Sequence, residues 1–342
     1  MRGLRTMTRG ATCARMTTAL MTTALMTTAL MTMALVACGD DDGPGTDAGL
    51  GSDGSVGGAD LSVLLEAEES ITEGLDPGTA DESILDGWTV RFDKYLVAIG
   101  DVDLAFATDE TRGAEDGTVW VVDLAQVPAT GLPLWSFDGL AAGRWEVFYA
   151  TPGAGDGAMR HESVSEADFA EMERDDLTYL IEGVITKADG ESCPPPDGEC
   201  SANAEVRFRF GVPAETLFGP CEPEEGVTGV AVPESGTATM ALTIHGDHLF
   251  FNGFPEGEEG GVMRLAQWLA DADLDLDGEV TEEELKSIAP ADLAELDGRY
   301  ELGGSPITPL EDMWDYVIAQ LKTQGHFQGE GECPFDGIEH DH

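Results

Sequence analysis

Basic residues are scarce in this sequence, and their scarcity excludes several classes of partner. The 342 residues include 17 Lys and Arg against 67 Asp and Glu, which gives a net charge of −50. A nucleic acid is excluded as a partner, because its phosphate backbone would be repelled. An anionic membrane surface is disfavoured for the same reason, whereas divalent cations are the natural counter-ions. Such a charge also keeps a protein soluble, and we expect a monomer.

Common catalytic motifs are also missing. The sequence contains no G-x-S-x-G, no H-E-x-x-H and no phosphate-binding P-loop. Paired carboxylates are too abundant in this acidic chain to indicate a glycosidase. We therefore expect a protein that is not an enzyme.

The N-terminus has the pattern of an export signal. A segment with four Arg and no acid precedes a repetitive apolar stretch that ends at Ala37. The "LVAC" that ends at Cys38 resembles the lipobox of bacterial lipoproteins, in which the Cys becomes lipidated. The resemblance implies a signal peptide over residues 1–37 and a lipid anchor on Cys38. The protein would then be held at a membrane of the bacterial cell envelope, facing the periplasm or the exterior.

Composition divides the rest of the chain. Residues 38–60, rich in Gly and Asp, are typical of a flexible tether. Residues 61–255 read as β structure, 256–328 as a helical segment and 329–342 as a C-terminal tail. The predicted fold class is α+β: an antiparallel β-sandwich-like domain followed by a small helical segment.

Alternation of apolar and polar residues predicts eight or nine strands in the β region. Residues 236–244 and 205–210 alternate most regularly. In 87–100 the apolar set slips by one residue near Asp93, which predicts a β-bulge. The candidate strands are residues 61–67, 87–100, 102–107, 118–124, 144–150, 177–185, 205–210 and 235–244.

Helical periodicity appears in four places. Residues 163–176 predict a helix capped by Ser163, and 261–272 predict a helix with Leu265 and Leu269 on one face. A short helix over 282–288 would be ended by Pro290. Residues 308–325 predict a helix with Thr308 as its N-cap.

Four cysteines remain beyond Cys38 and the signal segment, an even number that predicts two disulfides in an oxidising compartment. Of three possible pairings we favour Cys193–Cys200 and Cys221–Cys333. A four-cysteine metal site is the alternative, although the spacings lack C-x-x-C.

The stretch "DLDLDGEVTEEE", residues 273–284, is called the acidic loop below. It resembles the EF-hand calcium-binding loop, with acids at positions one, three, five and twelve and Gly278 at position six. The resemblance implies one Ca²⁺ ion held by the oxygens of Asp273, Asp275, Asp277, Glu279, Thr281 and Glu284. Glu282 and Glu283 are expected to be solvated helix acids.

EF-hand loops usually come in pairs, and a second competent loop is missing from this sequence. The only echo is residues 293–304, which begin with Leu293 and end with Gly304 and therefore cannot bind an ion. Tyr300 of this echo could still pair with Val280 of the acidic loop. The ion's role is expected to be structural.

Two other functions remain open. The β domain could be a cell-surface module that recognises a glycan or a protein, with Ca²⁺ supporting it. Alternatively, His245 and His248 could bind zinc or copper, provided that the chain turns at Gly246 to bring them together. A looser site from His326, His340 and His342 is a further alternative.

Overall fold

The alternating sequence pattern forms strands in the computed structural model, which describes residues 58–80, 82–196, 198–254, 262–301, 305 and 309–336. The strands are β1 (Ala59–Ala67), β2 (Thr89–Phe106), β3 (Asp109–Asp116), β4 (Trp120–Asp123), β5 (Leu132–Leu140), β6 (Gly143–Thr151), β7 (Met159–Arg160), β8 (Tyr179–Thr186), β9 (Glu191–Ser192), β10 (Ser201–Ala202), β11 (Glu205–Val212), β12 (Thr216–Phe218), β13 (Val230–Val232), β14 (Thr237–Ile244), β15 (Glu279–Val280), β16 (Gly325–Phe327), β17 (Gly331–Glu332) and β18 (Phe335–Asp336). Every predicted strand overlaps one of these.

In the part of the chain that the structure describes, six α-helices and two 3₁₀ turns lie between the strands. The helices are α1 (Glu69–Thr72), α2 (Glu166–Asp175), α3 (Gln267–Asp271), α4 (Glu282–Leu285), α5 (Pro290–Leu296) and α6 (Met313–Leu321). The 3₁₀ turns are Leu124–Gln126 and Asp247–Phe250. None of the helices in the described ranges is long and apolar enough to cross a membrane.

The strands form two large mixed sheets and one small pair. The first sheet has the order β17-β16-β14-β1-β5, and the second, of eleven strands, runs β15-β11-β8-β2-β6-β12-β18 with β3, β4, β7 and β13 attached. The α+β composition is confirmed, but a wholly antiparallel arrangement is wrong. The pairs β1–β14, β11–β15 and β4–β7 are parallel. Strands so far apart in sequence need no tight hairpin, and either direction is then open to them.

The longest strand, β2, combines two of the predicted strands. Its pairing with β8 shifts register between Phe92 and Lys94, which confirms the bulge predicted near Asp93. A second shift occurs between Gly100 and Asp103, where β2 pairs with β6. Asp101 has a φ of 49° there, so the strand bends without ending. The bend replaces the break that the sequence predicted between 100 and 102.

Helix α3 begins later than the helix predicted for 261–272. Arg264 makes isolated bridges to Phe251 and Ile84, so this part of the chain is extended. The carboxylate of Asp86 then accepts hydrogen bonds from the backbone N–H groups of Ala266 and Gln267, at 2.7 and 2.8 Å. A residue distant in sequence thus caps the helix that leads into the acidic loop.

Two other helix starts differ from the prediction. Ser165, not Ser163, caps α2 by accepting from the Asp168 N–H at 3.1 Å. The Ser163 hydroxyl is used elsewhere, because it accepts from the Asp123 N–H. Helix α6 is capped by Asp312, and Thr308, the predicted cap, lies outside the described residues.

One apolar core joins the two large sheets and the helical segment. Leu61 of the first sheet, Phe208 of the second, and Trp268 and Tyr316 of the helices are all fully buried members of it. All described residues fall within one compact unit, residues 54–342. The predicted signal segment and Cys38 lie outside the described residues. Burial of large side chains from every element makes the helical segment part of the same core.

Both predicted disulfides are present. Cys193 is bonded to Cys200 across seven residues, and Cys221 to Cys333 across 112 residues. The second bond ties the C-terminal strands to the region after β12, so the predicted tail is partly ordered in β17 and β18. The alternative of a four-cysteine metal site is excluded, because all four sulfurs are used.

Removing the long-range disulfide is expected to destabilise the protein more than removing the short one. In the chain-entropy view a loop of 112 residues contributes about 4.8 kcal/mol and one of seven about 2.4 kcal/mol. Denaturant unfolding of C221A/C333A and C193A/C200A should therefore differ by roughly 2 kcal/mol. Equal losses of unfolding free energy in the two variants would contradict this.

Candidate functional site

The acidic loop connects two short helices, α3 and α4, at the edge of the eleven-stranded sheet. Helix α3 ends at Asp271, two residues before the loop, and Thr281 is the N-cap of α4. Trp268 and Leu269 of α3 and Leu285 of α4 are fully buried. The flanking helices are therefore fixed in the core, and the loop between them is presented at the surface.

Three of the predicted ligands converge. Asp273, Asp275 and Asp277 each offer a carboxylate oxygen, and these atoms lie within 4.8 Å of one another. Asp273 is completely buried, whereas Asp275 and Asp277 are exposed. The group thus has one carboxylate inside the fold and two facing solvent, so a cation can approach from the solvent side.

Backbone amides hold these carboxylates in place. Asp273 accepts from the N–H groups of Asp277 and Gly278, at 3.1 and 2.9 Å. Asp275 accepts from the N–H of Asp277 at 3.2 Å, and Asp277 accepts from that of Glu279 at 2.9 Å. The chain is therefore wrapped around its own acids, as the resemblance implies for an ion-binding loop.

The turn conformation agrees with the predicted role of Gly278. Its φ of 87° lies in the left-handed region, where a side chain is strained even though a Cβ would meet no atom closer than 3.6 Å. Leu276, two residues earlier, also has a positive φ of 61° and is 43% exposed. The loop therefore reverses direction at two points within three residues.

Glu284 joins the two ends of the loop. Its carboxylate accepts from the N–H of Leu274 at 2.9 Å and from both the N–H and the hydroxyl of Thr281 at 2.8 Å. Thr281 in return accepts from the Glu284 N–H, which makes a capping box. Glu284 is thus close to the loop's start but is not one of the three converging acids. Glu279 begins β15, and its side chain is exposed.

The electrostatics around Asp273 are unfavourable to a bare carboxylate. Burial raises the pKa of Asp273 above its usual value, and the charges of Glu284 and Asp277 raise it further. The N–H groups of Gly278 and Asp277 act in the opposite direction. A cation among these acids would remove the repulsion.

The short strand of the acidic loop, β15, pairs with the eleven-stranded sheet. β15 lies parallel to β11, with Glu279 opposite Arg207 and Val280 opposite Phe208. The N–H of Arg207 donates to the carbonyl of Gly278 at 2.9 Å, and Val280 is 1% exposed. Tyr300, the partner considered for Val280, instead accepts from the N–H of Trp268 through its hydroxyl. The partner of the acidic loop's short strand is therefore β11, not a second EF-hand loop.

Asn203 contacts Asp273 of the acidic loop, and no pattern in the sequence indicates this contact. Its side-chain amide donates to the carboxylate of Asp273 at 2.9 Å and to the hydroxyl of Ser192 at 3.1 Å. The N–H of Cys193 donates to Asp271 at 2.8 Å. The region closed by the Cys193–Cys200 disulfide therefore supports the start of the acidic loop, from about 70 residues away.

His245 and His248, the alternative metal ligands, lie at the end of β14. The chain turns at Gly246 into the 3₁₀ turn Asp247–Phe250, and the two ring centroids are 5.9 Å apart. His326 of β16 lies beside both rings. His340 and His342 fall outside the described residues.

Comparisons with protein-family models, with curated proteins and with solved structures found no match. The function is therefore inferred from the side chains themselves. Of the candidate sites, the acidic loop is the one for which the sequence predicted a full ligand set. The fold brings three of those ligands together: Asp273, Asp275 and Asp277.

Proposed function

We propose that the acidic loop binds one Ca²⁺ ion in the manner of an EF-hand. The observation that carries the proposal is the convergence of the Asp273, Asp275 and Asp277 oxygens within 4.8 Å. The donors are all oxygen atoms, which a hard cation such as Ca²⁺ prefers. Glu284, the carbonyl of Glu279 and Thr281 would complete the ligand set, as the resemblance implies.

The electrostatics of the loop support an ion. Asp273 is completely buried and lies near the charges of Glu284 and Asp277, and these factors disfavour its ionised form. Among the described residues, Asn203 and two backbone N–H groups counter this charge through direct hydrogen bonds. A divalent cation compensates a buried carboxylate far better than neutral donors do. The loop should therefore be held more firmly when the ion is bound.

We infer that the ion is structural. A calcium sensor requires a pair of helices that changes its angle and exposes an apolar groove. Here α3 and α4 have five and four residues, and their apolar side chains are already in the common core. The loop is also paired with β11. The ion then serves to keep the loop and its helices on the sheet.

The proposed setting is the bacterial cell envelope. Lipidation of Cys38 would anchor the chain to a membrane, and the Gly- and Asp-rich stretch after it would separate the fold from the surface. Stacking of the two large sheets as a sandwich is part of the proposal, supported by their shared core. Calcium sites of extracellular modules typically have dissociation constants of about 10⁻⁴ to 10⁻³ M.

Replacing Glu284 with Gln is expected to weaken Ca²⁺ binding by at least about tenfold, which is about 1.4 kcal/mol. Gln retains the capping-box function but loses the charge at the closing position. Isothermal titration calorimetry of the intact protein and of E284Q measures the difference. The intact protein should bind one ion.

E283Q is the matched control for that experiment. Glu283 is adjacent to Glu284, is exposed and makes no side-chain hydrogen bond among the described contacts. Its replacement should leave the Ca²⁺ affinity unchanged. The proposal fails if the intact protein binds no Ca²⁺ at millimolar concentrations, or if E283Q and E284Q are weakened equally.

Calcium is expected to raise the melting temperature without exposing apolar surface. A ligand that is present at 100 times its dissociation constant stabilises the folded state by about 2.7 kcal/mol. Thermal melts in 10 mM CaCl₂ and in EDTA, each followed with an apolar-surface dye, test both points. An increase of dye binding in the native state with Ca²⁺ would indicate a sensor and would overturn the structural role.

A further inference from the structure

Three histidines from separate parts of the chain form a cluster in the five-stranded sheet. His245 follows β14, His248 lies in the 3₁₀ turn Asp247–Phe250, and His326 is in β16, which pairs with β14. One ring nitrogen of each lies within 4.8 Å of the others. His245 and His248 are 5% and 9% exposed, so the cluster lies almost entirely inside the fold.

Hydrogen bonds determine the tautomer of two of these rings. The hydroxyl of Thr323 donates its proton to the carbonyl of Gln320, so the Nδ1 of His248, 2.8 Å away, must donate to Thr323. Nε2 of His248 then carries the lone pair. The Nε2 of His245 donates to the carbonyl of Gly329 at 3.1 Å, because a carbonyl only accepts. In the neutral ring this leaves the lone pair on Nδ1 of His245.

Two buried polar atoms beside these rings have no hydrogen-bond partner. They are the Nδ1 of His326 and the Oδ1 of Asp247. An unsatisfied buried polar atom is costly, so each of these two atoms is a candidate to bind a ligand. The other carboxylate oxygen of Asp247 accepts from the Nε of Arg264 at 2.6 Å, which holds the group in position. Both atoms are therefore available as ligands, in addition to the lone pairs of His245 and His248.

Two acids supply compensating charge. Oxygen atoms of Glu68 and Asp247 lie within 4.8 Å of a His245 ring nitrogen and of each other. Glu68 accepts from the hydroxyl of Ser70 at 2.5 Å, and the N–H of Gly246 donates to the same hydroxyl at 3.1 Å. Glu68 is therefore positioned by the turn that places the histidines. Glu68 and Asp247 thus place negative charge beside the histidines, part of which Arg264 already balances.

We propose that His245, His248 and His326 bind one divalent transition-metal ion of the zinc and copper class, with Glu68 and Asp247 beside them. Imidazole nitrogen is a preferred donor for these metals, and three histidines with one further ligand are a common zinc arrangement. Ligand nitrogens around tetrahedral zinc lie about 3.3 Å apart, because each Zn–N bond is about 2.0–2.1 Å.

The cavities beside the cluster agree with this site. A cavity of about 290 Å³ is lined by His248, His326 and Phe251. A second, of about 460 Å³, is lined by Glu68 and Asp247 on the acidic side. The first of these cavities gives access to two of the three histidines.

Zinc titration of the full chain tests the proposal. Chelator-treated protein is first given saturating Ca²⁺, so that the acidic loop is occupied, and is then titrated with ZnCl₂ by calorimetry. One zinc ion should bind, and H326Q should reduce the affinity at least tenfold. E284Q should keep the zinc affinity of the intact protein, so failure of the calcium proposal and failure of this one are distinguishable.

Two control variants exclude other histidines. H340Q/H342Q removes both histidines of the C-terminal stretch, and H161Q removes one outside the cluster; both should bind zinc like the intact protein. H326Q loses the stacking of the ring on His245 and its hydrogen bond to the Gly331 backbone, so a thermal melt without metal first establishes that this variant is folded. If H326Q misfolds, anomalous diffraction at the zinc edge replaces it, and a peak among the three rings is expected.

The proposal is overturned by any of three results. The first is the absence of zinc binding at micromolar to millimolar concentrations. The second is an unchanged affinity in a folded H326Q. The third is loss of binding in H340Q/H342Q, or an anomalous peak only at the acidic loop, either of which would assign the zinc to another site.

Discussion

The pairing of β15 with β11 is the interaction on which the acidic loop depends. A two-residue strand has no stability of its own, and sheets gain stability from pairing and burial on one face. Val280 is buried opposite Phe208, and the carbonyl of Gly278 accepts from Arg207. These contacts fix the middle of the loop, while α3 and α4 fix its ends. β15 also covers β11, which would otherwise be an edge strand of the eleven-stranded sheet.

The two proposed metal sites use different chemistry in different sheets. The acidic loop, at the β11 edge of the eleven-stranded sheet, offers only oxygen atoms and faces solvent. The histidine cluster, between β14 and β16 of the five-stranded sheet, offers nitrogen atoms and is buried. Oxygen donors favour a hard cation such as Ca²⁺, whereas imidazole nitrogens favour zinc or copper, so the donor type distinguishes the two sites. For a chain with a net charge of −50, cations are also the expected partners.

Features encoded locally could be predicted from the sequence. The alternation in β11, the bulge in β2 and the positive φ of Gly278 each depend on a few neighbouring residues. The Cys193–Cys200 disulfide closes a short loop, and once it is assigned the distant pair Cys221–Cys333 follows by elimination among four cysteines. The convergence of three aspartates in the acidic loop is likewise a property of twelve consecutive residues.

Features that depend on distant residues could not be predicted. The parallel pair β1–β14 joins strands about 180 residues apart, and the start of α3 is set by Asp86. Asn203 reaches Asp273 only because the Cys193–Cys200 region folds beside the loop. His326 joins His245 and His248 through the register of β16 with β14. No pattern in the sequence links these pairs, since each contact follows from the tertiary fold.

Hydrogen exchange at the backbone amide of Arg207 tests most directly whether a bound ion holds the acidic loop on the sheet. That amide donates to Gly278 at the junction of β11 and β15. Calcium should slow its exchange in the intact protein and have no such effect in E284Q. If Ca²⁺ binds and the Arg207 amide exchanges at the same rate with and without it, the ion does not hold the loop to the sheet.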